Sequence, residues 1–421
     1  MNVAERLASF VTPMFGGELP VALRGWDGSQ VGPPDAPVLV IRSRKALRRL
    51  MWDPSELGFA QAYITGELDV EGDIADGFRR VWRQARKHKL SGASLSKRDQ
   101  GRALLAAARL GVIGPKPATP DSQAALSGTL HSKKRDQAAI AHHYDLSNEF
   151  YALILDDNMA YSSAYFEQPH QPIEAAQTAK LDLICRKLGL ASGMRLLDVG
   201  CGWGSLILYA AEHYGVRATG VTLSNQQREF VGKRVAERNL GDRVEVRLQD
   251  YRDVDDPAFD AVSSIEMGEH VGQDQYPVYA ATLFRQLRPG GRLLLQQMSR
   301  RADAAPGGGA FIENYIAPDM HMRPLPETLG FLVDAGFELR DVEAIREHYV
   351  WTVEAWIETF ESHWDEVVAM VGEETARVWR LYLVGGALSF EEGRMGVDQI
   401  LAVRTGVEGA SDMPARRPWA F

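Results

Sequence analysis

A glycine-rich turn directly after an apolar run has the composition of a loop that binds a small ligand. The run Arg195–Val199 leads into Asp198-Val-Gly-Cys-Gly-Trp-Gly204, and a helical pattern follows over residues 205–214. Glycines allow the backbone to approach a bound molecule closely, and α/β sheets bind their ligands at the carboxyl ends of strands. These residues therefore predict a strand, a ligand-binding turn and a helix.

Two further strand patterns follow, and each ends in polar residues that could contact the same ligand. The first is Arg217–Thr222, followed by Leu223 and Gln227, and the second covers residues 244–250 and ends at Asp250. This spacing resembles class I S-adenosylmethionine (SAM) methyltransferases, in which the amino acid part of SAM lies over the glycine turn, the ribose after the second strand and the adenine after the third. A dinucleotide-binding domain is the alternative, and it is disfavoured because the turn lacks the GxGxxG spacing.

The elements that must position these residues alternate between strands and helices, which predicts a parallel sheet. We expect an α/β fold of the class I SAM-methyltransferase type, a Rossmann-like sheet with a helical lid insertion, over residues 138–421. Its aromatic-rich region at about 311–403 is mostly helical in pattern and is the predicted acyl-binding part. A smaller α+β domain that associates with lipid is expected over 1–112, and a proline-containing linker over 113–137. The residues from 409 onward are expected to be a loose tail.

The charges are distributed unevenly along the 421 residues. Fourteen Lys and Arg residues lie between Arg79 and Arg135 and only Asp99 and Asp121 oppose them, so this segment carries +12 while the whole chain carries −9. A densely basic segment is either a solvated surface or a docking surface for anions. Apolar side chains between the charges, such as Trp82, favour docking on a phospholipid membrane. No nucleic-acid partner is expected, because no binding motif accompanies the charge.

The two cysteines, Cys185 and Cys201, exclude a disulfide framework and a cysteine-based metal site, and no metal is expected. The N-terminus lacks the pattern of a signal peptide, and no apolar run is long enough to span a bilayer. The expected location is therefore cytoplasmic, peripheral on the inner face of the membrane.

Further motifs resemble the cyclopropane-fatty-acyl-phospholipid synthase family of SAM-dependent enzymes. The segments that carry the resemblance are 142–151, 159–167, 196–204, 220–227, 249–253, 269–272, 311–318 and 348–349. Residues 58–72 resemble the N-terminal domain of the longer bacterial members. The resemblance implies that the substrate is a cis double bond in an acyl chain, often within a membrane phospholipid. The alkene takes the SAM methyl group and becomes a carbocation, which then loses a proton.

The resemblance also assigns residues to the two parts of the site. Those implied to contact SAM are Tyr161, Ser162, Asp198, Gly200, Gly202, Gly204, Thr222, Leu223, Gln227, Asp250 and Tyr251. Those implied to act at the reacting carbons are Glu269, Tyr349, Glu266, His143, Gln296 and Ser163. Structural alternatives stay open, namely a hydrogen-bonding role for Glu266, packing for Tyr349 and a supporting role for His143.

Departures from the pattern of the cyclopropane-forming members concern the base that removes the proton. In those members, residues matching Glu269 and Tyr349 help to hold a bicarbonate ion together with a cysteine and a histidine. This chain has Ser163 and Gln296 at the latter two positions, and Glu266 where glycine is common. Because glutamine does not titrate near neutral pH, bicarbonate is a doubtful cofactor here.

The altered base site resembles the branch that converts oleoyl chains to 10-methylene (tuberculostearic-type) chains, and Gly268, where phenylalanine is usual, is expected to open space in it. We therefore expect a SAM-dependent methyltransferase of unsaturated phospholipid acyl chains that forms a 10-methylene product. A flavin- or NADPH-dependent reductase acting on that product is an expected partner, and a homo-oligomer is compatible with the sequence. A cyclopropane synthase is the nearest alternative. A non-catalytic lipid-binding protein and a small-molecule methyltransferase are the others.

Overall fold

The computed structural model describes residues 1–88, 107–123, 135 and 146–419. The chain forms two compact units, Met1–Gln123 with Val371–Leu388 and Ala124–Met370 with Ser389–Phe421. No helix in the described ranges has the length and apolar character needed to cross a lipid bilayer.

The N-terminal unit is built on a small mixed sheet. Its strands are β1 (Ala22–Arg24), β2 (Gln30–Val31), β3 (Val38–Ile41) and β4 (Leu68–Glu71), in the order β2-β1-β3-β4 with β1 and β3 parallel. Its helices are α1 (Val3–Val11), α2 (Arg44–Trp52), α3 (Glu56–Ile64) and α4 (Ile74–Lys87), with a 3-10 helix at Thr12–Phe15. Asp73 begins α4 by accepting hydrogen bonds from two backbone N–H groups of its first turn. The unit thus has the α+β composition expected from the sequence.

The second unit contains a seven-stranded sheet in the order β10-β11-β9-β8-β5-β6-β7. The strands are β5 (Arg195–Val199), β6 (Arg217–Thr222), β7 (Val244–Leu248), β8 (Phe259–Ile265), β9 (Leu287–Arg300), β10 (Glu338–Ala344) and β11 (Met395–Val403). Strands β5 to β9 pair in parallel, and β11 and β10 extend the sheet in antiparallel fashion. This arrangement confirms the predicted α/β class, and the strand order reverses beside β5, where the glycine turn begins.

Helices cover both faces of this sheet. The helices of this unit are α5 (Asn148–Ala152), α6 (Ile173–Leu188), α7 (Ser205–Tyr214), α8 (Asn225–Glu237), α9 (Tyr276–Gln286), α10 (Ala310–Tyr315), α11 (Leu325–Asp334) and α12 (Arg346–Ser362), and α13 (Trp364–Glu391) has only its two ends in it. Short 3-10 helices lie at Tyr251–Asp253, Gly268–His270, Gln273–Gln275 and Val407–Gly409. Leu196 packs into one core and Leu197 into the other, because successive side chains of a strand point to opposite faces.

Two strands interrupt the region 311–403, which the sequence pattern predicts as mostly helical. One is β10, and the other is β11, which pairs with β9 over nine residue pairs from Met395–Arg300 to Val403–Arg292. The long-range pairing overrides the local pattern. From Val397 on, every residue of β11 is buried, whichever face of the sheet its side chain is on.

Helix α13 contributes its segment Val371–Leu388 to the N-terminal unit. Gly372, with φ +81°, interrupts the helical backbone. After this break, the buried guanidinium of Arg377 donates to both carboxylate oxygens of Asp69 at 3.3 Å and to the backbone oxygen of Tyr63. The partners Arg377 and Asp69 are 308 positions apart, so the predicted domain boundaries, which follow the sequence, do not capture this segment.

The C-terminal segment is anchored by Trp419, although most of residues 409–418 are exposed, which corrects the expectation of a loose tail. Trp419 is only 5% exposed and lies in an apolar cluster with Leu183 and Leu401. Its indole N–H donates to Asp341 at 3.2 Å, and Arg417 forms an ion pair with the same carboxylate at 3.1 Å. A buried aromatic ring with a hydrogen-bonded N–H fixes the segment more than its polar composition indicates.

Candidate active site

The glycine turn has a backbone that only glycine adopts easily. Gly200, Gly202 and Gly204 have φ angles of +78°, +53° and +80°. A Cβ atom on Gly200 would lie 2.6 Å from the Met267 side chain, and one on Gly204 would lie 2.9 Å from Val231. At Gly202 nothing lies within 4 Å, so this glycine faces open space. The turn is closed on the protein side and open on the side where a ligand would lie.

One cleft at the carboxyl ends of β5 to β8 collects almost all of the residues predicted to contact SAM. Those that line it are Tyr161, Ser162, Asp198, Gly200, Gly202, Thr222, Leu223, Gln227, Asp250 and Tyr251. Gly204 is not among the lining residues, since it caps the start of α7 instead. Glu266 also lines the cleft, together with three residues that the sequence analysis does not assign to the site, Lys180, His270 and Arg252.

The acidic residue Asp198 lines the cleft beside the glycine turn. The Asp198 carboxylate accepts a hydrogen bond from the Ser263 hydroxyl at 2.7 Å, and burial raises the pKa of Asp198 to about 6. Burial lowers the pKa of His270 to about 4, so this imidazole is neutral at pH 7. The arrangement can hold an ammonium or sulfonium group against carboxylate oxygens without a competing histidine charge.

A buried lysine completes this part of the site. Lys180 is 1% exposed, and its ammonium donates to the Ser162 hydroxyl at 2.9 Å. Burial lowers the pKa of Lys180 to about 8, against the charges of Glu266, Asp156 and Asp198. The sequence held a signal for it: Lys180 lies four residues after Ala176 and four before Ile184 on the buried stripe of α6.

The predicted ribose and adenine positions are pre-arranged by hydrogen bonds within the protein. The Thr222 hydroxyl donates to Gln227 Oε1 at 2.7 Å. The guanidinium of Arg252 donates to both oxygens of Asp250, at 2.8 and 2.6 Å, which fixes the plane of that carboxylate. Tyr251 packs edge-on against Tyr279. With Gly202 open and these polar groups oriented into one cleft, SAM fits the residues present.

The carboxylate of Glu266 lies at the meeting point of three other predicted catalytic residues. Its Oε1 accepts hydrogen bonds from the Ser163 backbone N–H at 2.9 Å and from Gln296 Nε2 at 2.8 Å. Its Oε2 accepts from the Tyr349 hydroxyl at 2.6 Å. Burial raises the pKa of Glu266, although these three donors and the charge of Lys180 oppose the shift. The result is a carboxylate that is held in place and is more basic than a free glutamate.

Glu269 has different surroundings. It is fully buried, its Oε1 accepts a short hydrogen bond from the Met298 backbone N–H, and its Oε2 has no hydrogen-bond partner in the described part of the chain. Burial, followed by the negative charge of Glu266, raises the pKa of Glu269 to about 8. The resemblance groups Glu269 with Tyr349, whereas in the structure Tyr349 donates to Glu266. His143 lies outside the described residues.

Gly268 does not open space in the site, contrary to the expectation from the sequence. A Cβ atom there would lie 2.0 Å from Gln297 Oε1, so the glutamine side chain fills the volume that a phenylalanine would take. Gln297 is held in that position by the Tyr276 hydroxyl, which donates to it at 2.5 Å. The small residue at 268 is therefore matched to the glutamine at 297.

The described residues do not fit a bicarbonate ion. The Tyr349 hydroxyl, the Ser163 N–H and the Gln296 amide would be its donors, and each already donates to Glu266. A second anion at this point would also face the Glu266 charge at short range, which is unfavourable in a desolvated site. The carboxylate of the protein itself takes that place.

Aromatic rings lie next to the held carboxylate. Tyr161 contacts Trp356 with ring centroids 5.4 Å apart, and Trp356 in turn contacts Tyr349 at 6.2 Å. Tyr161 also contacts Trp203 of the glycine turn, and Phe390 packs on Tyr349 at 4.4 Å. Aromatic faces stabilise a positive charge without reacting with it, so this wall suits a reaction with a cationic intermediate.

Known proteins resemble this chain along its length. Residues 131–400 match the model of the family described as mycolic acid cyclopropane synthetase. A Mycobacterium tuberculosis protein described as a probable fatty acid methyltransferase is 37% identical and covers 100% of this chain and 98% of its own. The tuberculostearic acid methyltransferase UfaA1 of that organism is 32% identical over 92% of this chain and 88% of its own.

A solved structure supports the fold. The mycolic acid cyclopropane synthase CmaA1, crystallised with S-adenosylhomocysteine and CTAB, is 32% identical to this chain. It superimposes with a TM-score of 0.60 over 63% of this chain and 97% of its own. The portion that it covers is of the size of the seven-stranded unit.

Proposed function

Because the chain belongs to the mycolic acid cyclopropane synthetase family, and is thus a SAM-dependent enzyme of unsaturated lipid chains, we propose that it methylates the cis double bond of phospholipid acyl chains to a 10-methylene product. The observation that carries this proposal is the Glu266 carboxylate, which Tyr349, Ser163 and Gln296 hold at the edge of the cleft. This carboxylate is a base that the protein chain itself supplies.

SAM is held over the glycine turn in this proposal. Gly202 would allow its amino acid part to approach the backbone, Gln227 would hold the ribose, and Asp250 with Tyr251 would hold the adenine. When bound, SAM supplies a methyl group to one carbon of the double bond, which leaves a carbocation on the acyl chain. The reaction requires that water be kept from capturing that cation.

Glu266 then removes the proton. A hydride shifts from the methylated carbon to its cationic neighbour, and the cation so formed loses a proton from the new methyl group. The electrons of that C–H bond form the exocyclic double bond, and the proton passes to Glu266 Oε. Three hydrogen bonds fix the carboxylate, so it need not reorient during the step.

A methylene product and a cyclopropane differ in whether the hydride shift precedes the loss of the proton. The positions that depart from the cyclopropane-forming pattern, Ser163, Glu266 and Gln296, are joined by hydrogen bonds in one cluster. The likeness to a tuberculostearic acid methyltransferase over 92% of this chain favours the methylene product as well. Ring closure, as in the relative named a cyclopropane synthase, is the second candidate.

Proton NMR of the product distinguishes the two candidates. The protein is incubated with SAM and dioleoyl phospholipid vesicles, and the acyl chains are released for analysis. Exomethylene proton signals are the expected result. Upfield cyclopropane signals would contradict the proposal and assign ring closure to this site. Mass spectrometry alone does not decide, because the two products are isomers.

The proposal includes a membrane surface and a later enzyme. Helix α4 carries Arg83 and Lys87 exposed in its second half, while Phe78 packs on Trp82 with centroids 5.6 Å apart. Exposed cations beside half-buried aromatic rings suit an anionic lipid surface. A flavin- or NADPH-dependent reductase would convert the methylene group to a methyl group, because that reduction needs a hydride donor.

A further inference from the structure

A row of buried polar side chains leads from Glu266, at the end of β8, across β9 and β11 toward the β10 edge of the sheet. Gln296 Nε2 donates to Glu266, and Gln399 Nε2 donates to Gln296 Oε1 at 2.9 Å. The Lys187 ammonium donates to Gln399 Oε1 at 2.9 Å. Lys187 is 1% exposed and both glutamines are 0% exposed. We refer to Lys187, Gln399 and Gln296 as the polar bridge.

The lysine at one end determines the direction of every hydrogen bond in the polar bridge. An ammonium group has donors and no acceptor, so Gln399 must turn its oxygen to Lys187. Its NH2 group then faces Gln296, which must present its own oxygen and point its NH2 group to Glu266. Gln399 and Gln296 are direct cross-strand partners in β11 and β9, so the strand register keeps the two amides adjacent.

The lysine is itself held in place by groups on β10. Its ammonium forms an ion pair with Glu343 at 2.5 Å and lies 3.8 Å from Asp341. The Tyr165 hydroxyl donates to the other oxygen of Glu343, and Arg417 pairs with Asp341. These charges keep the ammonium at the end of the polar bridge.

We propose that Lys187 is a positioning residue for the reaction: through Gln399 it fixes Gln296 as a hydrogen-bond donor to Glu266 and so keeps that carboxylate ionised and oriented. The inference rests on the proposed function of Glu266 as the base. Without the lysine, both amides are free to turn over. Gln296 would then present an oxygen to the carboxylate, which favours the protonated and inactive form of Glu266.

Other groups also face Glu266 and are left in place by substitutions at the far end. They are Tyr349 from α12, Lys180 from α6 and the second carboxylate, Glu269. A change at Lys187 or Gln399 therefore reaches Glu266 through the polar bridge.

The test compares the pH dependence of kcat in Lys187→Met and Gln399→Met with the unchanged enzyme. Activity needs ionised Glu266, so the acid limb of the profile reports its pKa in the bound state. We expect the limb to move upward by about one pH unit in both variants, with KM for SAM unchanged. Gln399→Met removes no charge, so it decides the question if Lys187→Met does not fold.

Glu343→Gln is the matched control. It removes one of the two charges beside Lys187, while Asp341 and Gln399 still hold the ammonium, so we expect lower thermal stability and an unmoved acid limb. An unmoved limb in folded Gln399→Met would overturn the inference. Full turnover by Glu266→Gln would instead overturn the proposed function, and the inference with it.

Discussion

The Tyr349 hydroxyl donates to Glu266 Oε2 at 2.6 Å, which joins a residue of α12 to one that directly follows β8. The two residues are 83 positions apart, and no local pattern links them. Their contact makes Glu266, and not the neighbouring Glu269, the carboxylate that faces the hydroxyl. Several expectations about the chemistry follow from this pairing.

Glu266→Gln is expected to lower turnover by about a hundredfold or more, the usual effect of losing a general base. The amide is isosteric but cannot accept the proton, and one of its ends would place N–H groups against an existing donor. SAM binding should persist within a few-fold, because the predicted cofactor contacts lie elsewhere in the cleft. Turnover by NMR and SAM affinity by calorimetry check both parts, and normal turnover would remove Glu266 from the mechanism.

Glu269→Gln is expected to keep activity at pH 7 within a few-fold of the unchanged enzyme. The pKa of Glu269 is raised to about 8, so its carboxyl group is mostly protonated at pH 7, and glutamine resembles that neutral form. Its side-chain oxygen can still accept from the Met298 N–H. The same turnover assay measures it, and a loss as large as that of Glu266→Gln would show that Glu269 also acts in the reaction.

The stability of the protein is expected to depend on Glu269 in a defined pH window. Its folded-state pKa of about 8 exceeds the ordinary glutamate value of 4.5, so the unfolded chain ionises first as the pH rises. The contribution of Glu269 to stability therefore falls between about pH 4.5 and pH 8 and is constant outside that range. The difference in Tm between Glu269→Gln and the unchanged protein should therefore shift in favour of the variant as the pH rises from about 4.5 to 8. A Tm difference that is the same at pH 5 and pH 8 would contradict the raised pKa.

Gly202→Ala is expected to weaken SAM binding about tenfold or more while the protein still folds. The added Cβ would point into the open side of the turn, where the cofactor is expected. Gly193→Ala is the matched control, because Gly193 also has a positive φ, +85°, and open space around it but lies outside the cleft. Both changes carry a similar backbone cost of about 1–2 kcal/mol. Equal SAM affinities in the two variants would argue against the turn as the cofactor cradle.

The combined change Glu266→Gly, Gln296→His and Ser163→Cys is expected to restore the donors for a bicarbonate ion and to yield cyclopropane product that depends on added bicarbonate. Removing the carboxylate takes away the acceptor to which the Tyr349 hydroxyl and the backbone N–H of residue 163 now donate. The double change at 163 and 296 alone, with Glu266 retained, is the control and should not respond to bicarbonate. Only methylene product from the triple variant would show that other residues set the outcome.

Charge reversal on α4, Arg83→Glu with Lys87→Glu, is expected to reduce binding to anionic phospholipid vesicles at least tenfold, since each basic residue near such a surface contributes about 1 kcal/mol. Arg228→Glu with Arg301→Glu, two exposed arginines of the other unit, is the control with the same charge change. Vesicle co-sedimentation measures both. An equal loss in the two double variants would indicate a general charge effect and not docking by α4.

The sequence was sufficient for the parts of the molecule that depend on local patterns. The glycine turn, β5, β6 and β7 follow from residue periods and turn residues that lie close together in the chain. It was insufficient for β11, whose place depends on pairing with β9, and for the segment Val371–Leu388, which packs in the N-terminal unit. Distant contacts of this kind leave no periodic trace.

The same distinction applies within the site. The family resemblance in the sequence identifies each of four residues separately, namely Ser163, Glu266, Gln296 and Tyr349. Only the structure shows that they are joined in one cluster of hydrogen bonds. Lys180 could have been found as a charged residue within the apolar stripe of α6. The sequence could not show that Gln297, which lies 29 positions away, fills the space at Gly268.

Glu266 has a φ angle of +51°, a left-handed backbone that glycine adopts without strain and glutamate does not. Glycine and glutamate codons differ by a single nucleotide, so one point mutation at a glycine position would place a permanent carboxylate in such a site. The backbone strain of about 1–2 kcal/mol is small compared with the effect of the new carboxylate charge on the chemistry of the site. Under the proposed mechanism, an enzyme with this carboxylate does not depend on dissolved carbon dioxide for its base, and its rate should be the same in cells grown at low or high levels of that gas.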